Sequence, residues 1–342
     1  MTERVLTVRE LNRALLGRQL LLERKRLSPA AAIERVGPLH AQGVESTYVN
    51  LWSRIDGFRR EQLTRALERG TVIRSRPLRS TLHLTSARDY ALFHGAVREN
   101  RAEWWQRTTK HRYDSETIVR AEQTLSKAGS SPRTYAELVQ AVGGDRFLAG
   151  VATIRLGVMT VAPAGTWGYH GVEDYVLGDP PAARDTAMQR LVTCYFAAFG
   201  PASVEDLCFW ASLRKGDVGP TLEQLELRRF RDEKGRLLLD LPRAPLPPAE
   251  TPAPSRFLLR WDNLYLGHAS GERDRIVPPA LRKHVYTVNT VMPATFLVDG
   301  FVAGTWRYER NRVHLEHWRR LKRTERAPLE SESVRLADFL SG

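Results

Sequence analysis

Apolar residues recur along this chain first at helical spacing and then at strand spacing, and that alternation repeats. Leu11, Leu15, Leu16 and Leu20 fit one face of a helix. Thr7, with Glu10 three residues on, supplies a capping box at its start. Ser28-Pro29 opens a second helix over 30–36, which Gly37-Pro38 stops, and 45–52 and 60–68 read as two further helical pieces. After Gly70 the period changes to two. Residues 71–76 and 80–85 alternate as a pair of strands about a turn at Pro77. Helices followed by a two-stranded ribbon have the order of a winged helix.

The same order returns twice. A long helix over 87–106 carries Trp104 and Trp105, and the polar stretch 108–115 connects it onward. Thr134 to Glu137 is a second capping-box start, 148–159 an apolar helix, and 160–163 with 166–169 a strand pair around a Gly turn. The third cycle has a helix over 183–199, the cap Gly200-Pro201-Ala202-Ser203, a helix over 204–213 and a hairpin over 230–240 with its turn at Lys234-Gly235. Residues 242–254 hold six prolines and read as a linker. Beyond it lie strands at 257–260, 285–288, 295–298, 301–306 and 312–315, with Asp299-Gly300 as a two-residue hairpin signal. Short strands of this kind predict a small barrel or curled sheet, and a helix over 330–340 closes the chain. The fold class expected is α+β: three tandem winged helices over 1–110, 111–178 and 179–245, then a small β-barrel with the terminal helix over 255–342.

Composition narrows the partners. The 342 residues include 52 Lys and Arg against 39 Asp and Glu, a formal net charge of +13. Such a surplus favours polyanions, nucleic acid above all, although a preference for Arg in a soluble protein produces the same count. Cys194 and Cys208 are the only cysteines, without CxxC or paired histidines, so a disulfide framework and a zinc site are both disfavoured. No apolar run approaches the ~18 residues that span a bilayer, and the N-terminus lacks a signal-peptide core; a cytoplasmic protein is expected.

The candidate chemistry sits in Pro38-Leu39-His40-Ala41-Gln42-Gly43. In an extended segment, residues i and i+2 project to the same side, so an imidazole and a carboxamide could face one water. The imidazole can accept a proton, whereas the carboxamide can only orient water or lie against positive charge. The same triplet also fits a capped turn around a packed imidazole. Alternation in the first ribbon puts Thr81 and His83 opposite Leu82 and Leu84, which aims His83 at a channel or at open solvent. Arg74, Arg76 and Arg79 are candidate phosphate contacts. Trp261-Asp262-Asn263 either lines a channel or makes an Asx turn, and Arg307 begins a basic tract able to grip a backbone. His314 and His317 lack an acidic or thiol partner nearby, so no metal is assigned.

Four segments together resemble the AlkZ-like winged-helix DNA glycosylases: Leu39-His40-Ala41-Gln42 with Tyr48-Val49-Asn50-Leu51-Trp52; Arg79-Ser80-Thr81-Leu82-His83-Leu84; 200–207; and 259–264 with 297–306. The resemblance spans nearly the whole chain. It implies tandem winged helices and a β-barrel around a concave DNA channel, and a monofunctional glycosylase without cofactor or metal. His40 and Gln42 match the catalytic motif, with His where the family usually has Gln. That variant is similar to glycosylases protecting producers of bulky intercalating antibiotics, so the implied substrate is an N7-alkylguanine adduct in double-stranded DNA, bound by a monomer. Asn50, Trp52, Arg74, Arg76, Arg79, Thr81, His83, Arg260, Trp261, Asp262, Asn263 and Arg307 are the implied DNA-binding residues. The competing reading is a winged-helix transcriptional regulator without catalysis.

Overall fold

The computed structural model describes residues 3–110, 112–127, 131–286 and 292–342. Local signals formed the elements they predict at many points. Thr7 and Glu10 make a reciprocal capping box on the helix Val8–Arg18, Ser28 caps Pro29–Val36, and Thr134 with Glu137 caps Tyr135–Ala141. Helices also form over Val44–Trp52, Arg60–Glu68, Ala87–Thr108, Arg184–Phe199 and Val204–Ala211. Ser115–Ser126 and Lys215–Gln224 are helices where none was expected, as are the short Asn263–Leu266 and Arg282–Val285.

The strands collect into three sheets. Val72–Leu78 and Thr81–Ser86 form the first hairpin, but its turn is Arg79-Ser80, with φ of +48° and +56°, and not Pro77. Positive φ at both central residues is the geometry of a tight two-residue hairpin turn. Pro77 instead occupies a register shift between Ser75 and Leu78, where its missing N–H breaks no ladder bond. The two-residue strand Leu39–His40 adds to one edge of this hairpin, and Val158–Thr160 to the other. Asp174–Leu177 and Arg133–Thr134 follow, so the first two helix-and-ribbon cycles share one six-stranded sheet. The helix expected over 148–159 is Arg146–Leu156; Gly157, at φ +69°, ends it and frees 158–160 for the sheet. The second strand of that cycle falls at 174–177, after a looped stretch, and not at 166–169.

The third hairpin, Arg228–Asp232 with Leu237–Asp240, pairs in parallel with an N-terminal strand, Arg4–Leu6, that local pattern did not indicate. Buried Asp240 secures the join by receiving two bonds from Arg18, at 2.7 and 3.0 Å, and one from Arg228 at 2.6 Å. The proline-rich segment is strapped to the first helix through Arg9, Arg13 and Arg18, which donate to the carbonyls of Ala249, Thr251 and Pro245.

The C-terminal strands form an open four-stranded antiparallel sheet, Arg256–Leu258, Thr295–Val298, Phe301–Glu309 and Arg312–His317. Among the described residues its outer strands do not pair, which corrects the expected barrel. Val285 ends a short helix, Arg282–Val285, and does not start a strand; Thr287 and Val288 lie outside the described residues. The last helix is longer than expected, Arg323–Ser341. Among the described residues, no helix is long and apolar enough to cross a membrane, and no group of three or more metal-ligating side chains gathers.

Candidate active site

Backbone pairing sets the site. Leu39–His40 runs antiparallel to Thr81–Ser86 with His40 opposite His83, and the two rings stand edge to face, 5.5 Å apart at 82°. Trp261 lies 5.8 Å from the His40 ring on another side, tilted by 41°. His40 is only 5% exposed, whereas Gln42, two residues on, is at the surface. The strand thus carries a sheltered imidazole, and the bend just after it an open carboxamide close enough to act on that ring.

The two histidines differ in what holds them. Nδ1 of His83 lies 2.8 Å from the Thr81 carbonyl oxygen. A carbonyl only accepts, so this nitrogen carries the proton and the ring is fixed as one neutral tautomer. Nδ1 of His40, itself buried, has no hydrogen-bond partner among the described residues. Burial pushes the His40 pKa down to about 4; the Arg79 guanidinium pushes the same way, and Gln42, close enough to favour the charged form, opposes them. Burial, helped by Arg79 and His40, likewise holds His83 well below the usual imidazole range. Both rings are neutral at physiological pH.

Arg79 is therefore part of this site electrostatically. It sits on the hairpin turn, donates to the Leu266 carbonyl oxygen at 3.2 Å, and is itself lowered to about 10 by burial and by Arg273. Trp261 owes its position to its neighbour. Its φ of +62° is unusual for a bulky residue, and the next residue, Asp262, is fully buried. Asp262 takes two bonds from buried Arg54, each 2.8 Å, and caps the helix Asn263–Leu266 by accepting from the Leu264 N–H at 3.0 Å. That clamp over-determines the backbone beside Trp261.

The remaining implied DNA contacts divide by exposure. Arg76, Arg260 and Arg307 are at the surface, although Arg307 pairs with Glu309 at 3.1 Å. Thr81 is half-buried and donates to the Leu78 carbonyl. Asn50, Trp52, Arg74, Asp262 and Asn263 lie in the interior. Trp52 stacks on Phe339 under Arg24, Arg74 pairs with Glu173 at 2.6 Å and donates to the Ala41 carbonyl, and Asn263 donates to that of Val36. Asn50 is fully buried with neither amide atom bonded to a described residue. Arg54 escaped the sequence reading because nothing local announces its partner. Its position in the turn just after a helix with a buried face was the available signal.

The model of the AlkZ-like DNA glycosylase family matches residues 33–339, which include His40, Gln42, Arg79, His83 and Trp261. The chain belongs to the AlkZ-like DNA glycosylase family. It is a DNA glycosylase of a family tied to DNA repair and alkylation damage. Among solved structures, the Streptomyces sahachiroi DNA glycosylase AlkZ superposes with a TM-score of 0.81 at 18% identity, covering 98% of this chain and 97% of that one. At that identity the likeness establishes the shared fold. No curated protein sequence matches the chain. At His40 a neutral ring with an unengaged nitrogen adjoins the exposed carboxamide of Gln42.

Proposed function

We propose that this glycosylase is monofunctional and hydrolyses the N-glycosidic bond of bulky N7-alkylguanine adducts in double-stranded DNA, conferring self-resistance to an intercalating alkylator. The observation that carries the reading is the neutral His40 imidazole beside Gln42, with a cation but no carboxylate among the side chains packed on the ring. An N7-alkylated guanine is already cationic. As the bond from sugar C1′ to N9 breaks, its electron pair neutralises the purine, so no general acid is needed. Water oxygen bonds to C1′, and the proton it loses passes to His40 and then to solvent. Gln42 orients that water and lays its carbonyl against the positive sugar. A base lowered to about 4 is weak. A weak base suffices, because a developing oxocarbenium ion demands little from the water that attacks it. None of the side chains brought together here is an amine, so a Schiff base and strand cleavage are not part of this mechanism.

In this reading the three cycles of helices and ribbon, 1–110, 111–178 and 179–245, are winged helices, and the surface arginines Arg76, Arg260 and Arg307 grip the backbone of DNA bound by a cytoplasmic monomer. The deciding experiment incubates the protein with duplexes bearing a defined N7-alkylguanine adduct and with uracil-containing duplexes. Abasic sites with intact strands in the first, and none in the second, are expected. Efficient uracil release would require an acid the site lacks and would overturn the mechanism.

A further inference from the structure

A second cavity lies along the same sheet face as His40 but takes no part in the chemistry above. At one register level the sheet carries His40, then His83, then Ser75 on adjacent strands. With strands ~4.8 Å apart, Ser75 is about 10 Å from His40. Ser75 lines a cavity of 590 Å³ between the first hairpin, the long helix Ala87–Thr108 and the second helical cycle. That volume suits a drug-sized molecule.

Two features of its wall are chemical. Four of the aromatic rings on its wall belong to Tyr90, Trp105, Tyr135 and Tyr175, with Tyr135 and Tyr175 packed edge to face 6.2 Å apart. Arg101 lies behind them, 6% exposed, with Nε unbonded and no carboxylate or carbonyl partner for any of its nitrogens among the described residues. Arg76 adds a second positive charge that raises the cost of Arg101's own, and no Asp or Glu lines the cavity. A guanidinium does not shed its proton, and a buried charge in native proteins is ordinarily paired. His94, on the same wall, is neutral because burial lowers it to about 4, so it adds no further positive charge. No group among the described residues balances the charge of Arg101.

We propose that this cavity is a binding site for a small planar aromatic molecule carrying an anionic oxygen, its rings packed among the tyrosines and Trp105 and its anion on Arg101. A lone phosphate would leave most of the volume and all four rings unused. A neutral intercalator would leave Arg101 unpaired. The site shares Arg76 with the proposed DNA grip, but Arg101 and the aromatic wall have no part in the glycosylase mechanism.

The test titrates the full-length protein with anthraquinone-2-carboxylate and, as its uncharged match, anthraquinone-2-carboxamide, following Trp fluorescence and calorimetry. One carboxylate is expected to bind per chain, about tenfold or more tighter than the carboxamide, in line with a charge-assisted bond. Arg101→Met should abolish that preference without lowering the melting temperature, since it removes an unpaired buried charge, and Arg101→Lys should keep part of it. Binding should survive saturating undamaged duplex. Equal affinity for the two probes, or an unchanged preference in Arg101→Met, overturns the proposal. So does displacement by duplex together with weakened DNA binding in Arg101→Met, which would make Arg101 a phosphate contact.

Discussion

His40 and His83 face each other across an antiparallel pair, rings perpendicular at 5.5 Å, and Arg79 on the adjoining turn depresses the protonation of both. The arrangement keeps two imidazoles neutral side by side. One is locked by the Thr81 carbonyl and the other is left available beside Gln42.

The first consequence concerns pH. His40 is the proton acceptor only when neutral, and its pKa is near 4, so excision should be flat from about pH 6 to 8 and fall only as pH approaches 4. Single-turnover rates against pH check this. A limb centred near ~6.5, the ordinary imidazole value, would mean that the ring is more hydrated than its burial allows.

Stability should respond to the same acid range. In the unfolded chain His40 titrates near ~6.5, so below that value the unfolded state binds the extra proton and folding loses ground until pH reaches the folded value near 4. His94 and His268, lowered to about 4 and about 3, act with the same sign. For His40 and His94, lowering from 6.5 to about 4 corresponds to roughly 3 kcal/mol once fully expressed. Urea midpoints measured between pH 7 and 4.5 should decline steadily, and His40→Gln should make the decline shallower.

Replacing His40 separates its role from packing. His40→Ala should slow single-turnover excision by ~10²–10⁴ while duplex affinity changes little. His40→Gln should retain more activity than His40→Ala, because a carboxamide still holds the water. Wild-type rates in His40→Ala would leave the ring as a packing residue opposite His83.

What the sequence could show was whatever a few neighbouring residues decide. The capping boxes at Thr7, Thr134 and Ser203, the Asp299-Gly300 hairpin and the His40-Ala41-Gln42 triplet are all local. Arg4–Leu6 finds its partner on the third hairpin, and Leu39–His40 finds one on the first; neither pairing leaves a mark in a short strand's own residues. Arg74 and Asp262 read as surface groups because charge usually means exposure, yet each is buried against a partner far along the chain. Arg101 was legible in principle: it falls four residues after Val97 on the buried stripe of its helix, where an apolar residue belongs.

The Arg54–Asp262 clamp should couple strongly to stability. Both side chains are fully buried, so Arg54→Met strands a carboxylate in the core at a cost of about 3–5 kcal/mol. Arg54→Met combined with Asp262→Asn keeps a capping oxygen for Leu264 without the charge, and should cost less than Arg54→Met alone. Denaturant unfolding of the four proteins in the cycle measures the coupling. Additive costs would show that the pair does not hold the Trp261 backbone.

Arg79 offers the sharpest distinction between binding DNA and tuning chemistry. If it acts on His40 through its charge, Arg79→Met should raise the pKa of His40 and move the acid limb of excision upward, while Arg79→Lys should leave the limb in place. The move should be partial, since burial is the larger cause and persists, so the limb must stay below ~6.5. A phosphate contact would behave differently: Arg79→Met would then weaken duplex binding and flatten its salt dependence, with the pH profile unmoved. Arg79 already donates to the Leu266 carbonyl and is largely enclosed, which favours the electrostatic role. An unshifted limb in Arg79→Met, measured with saturating enzyme so that affinity drops out, would remove Arg79 from the site.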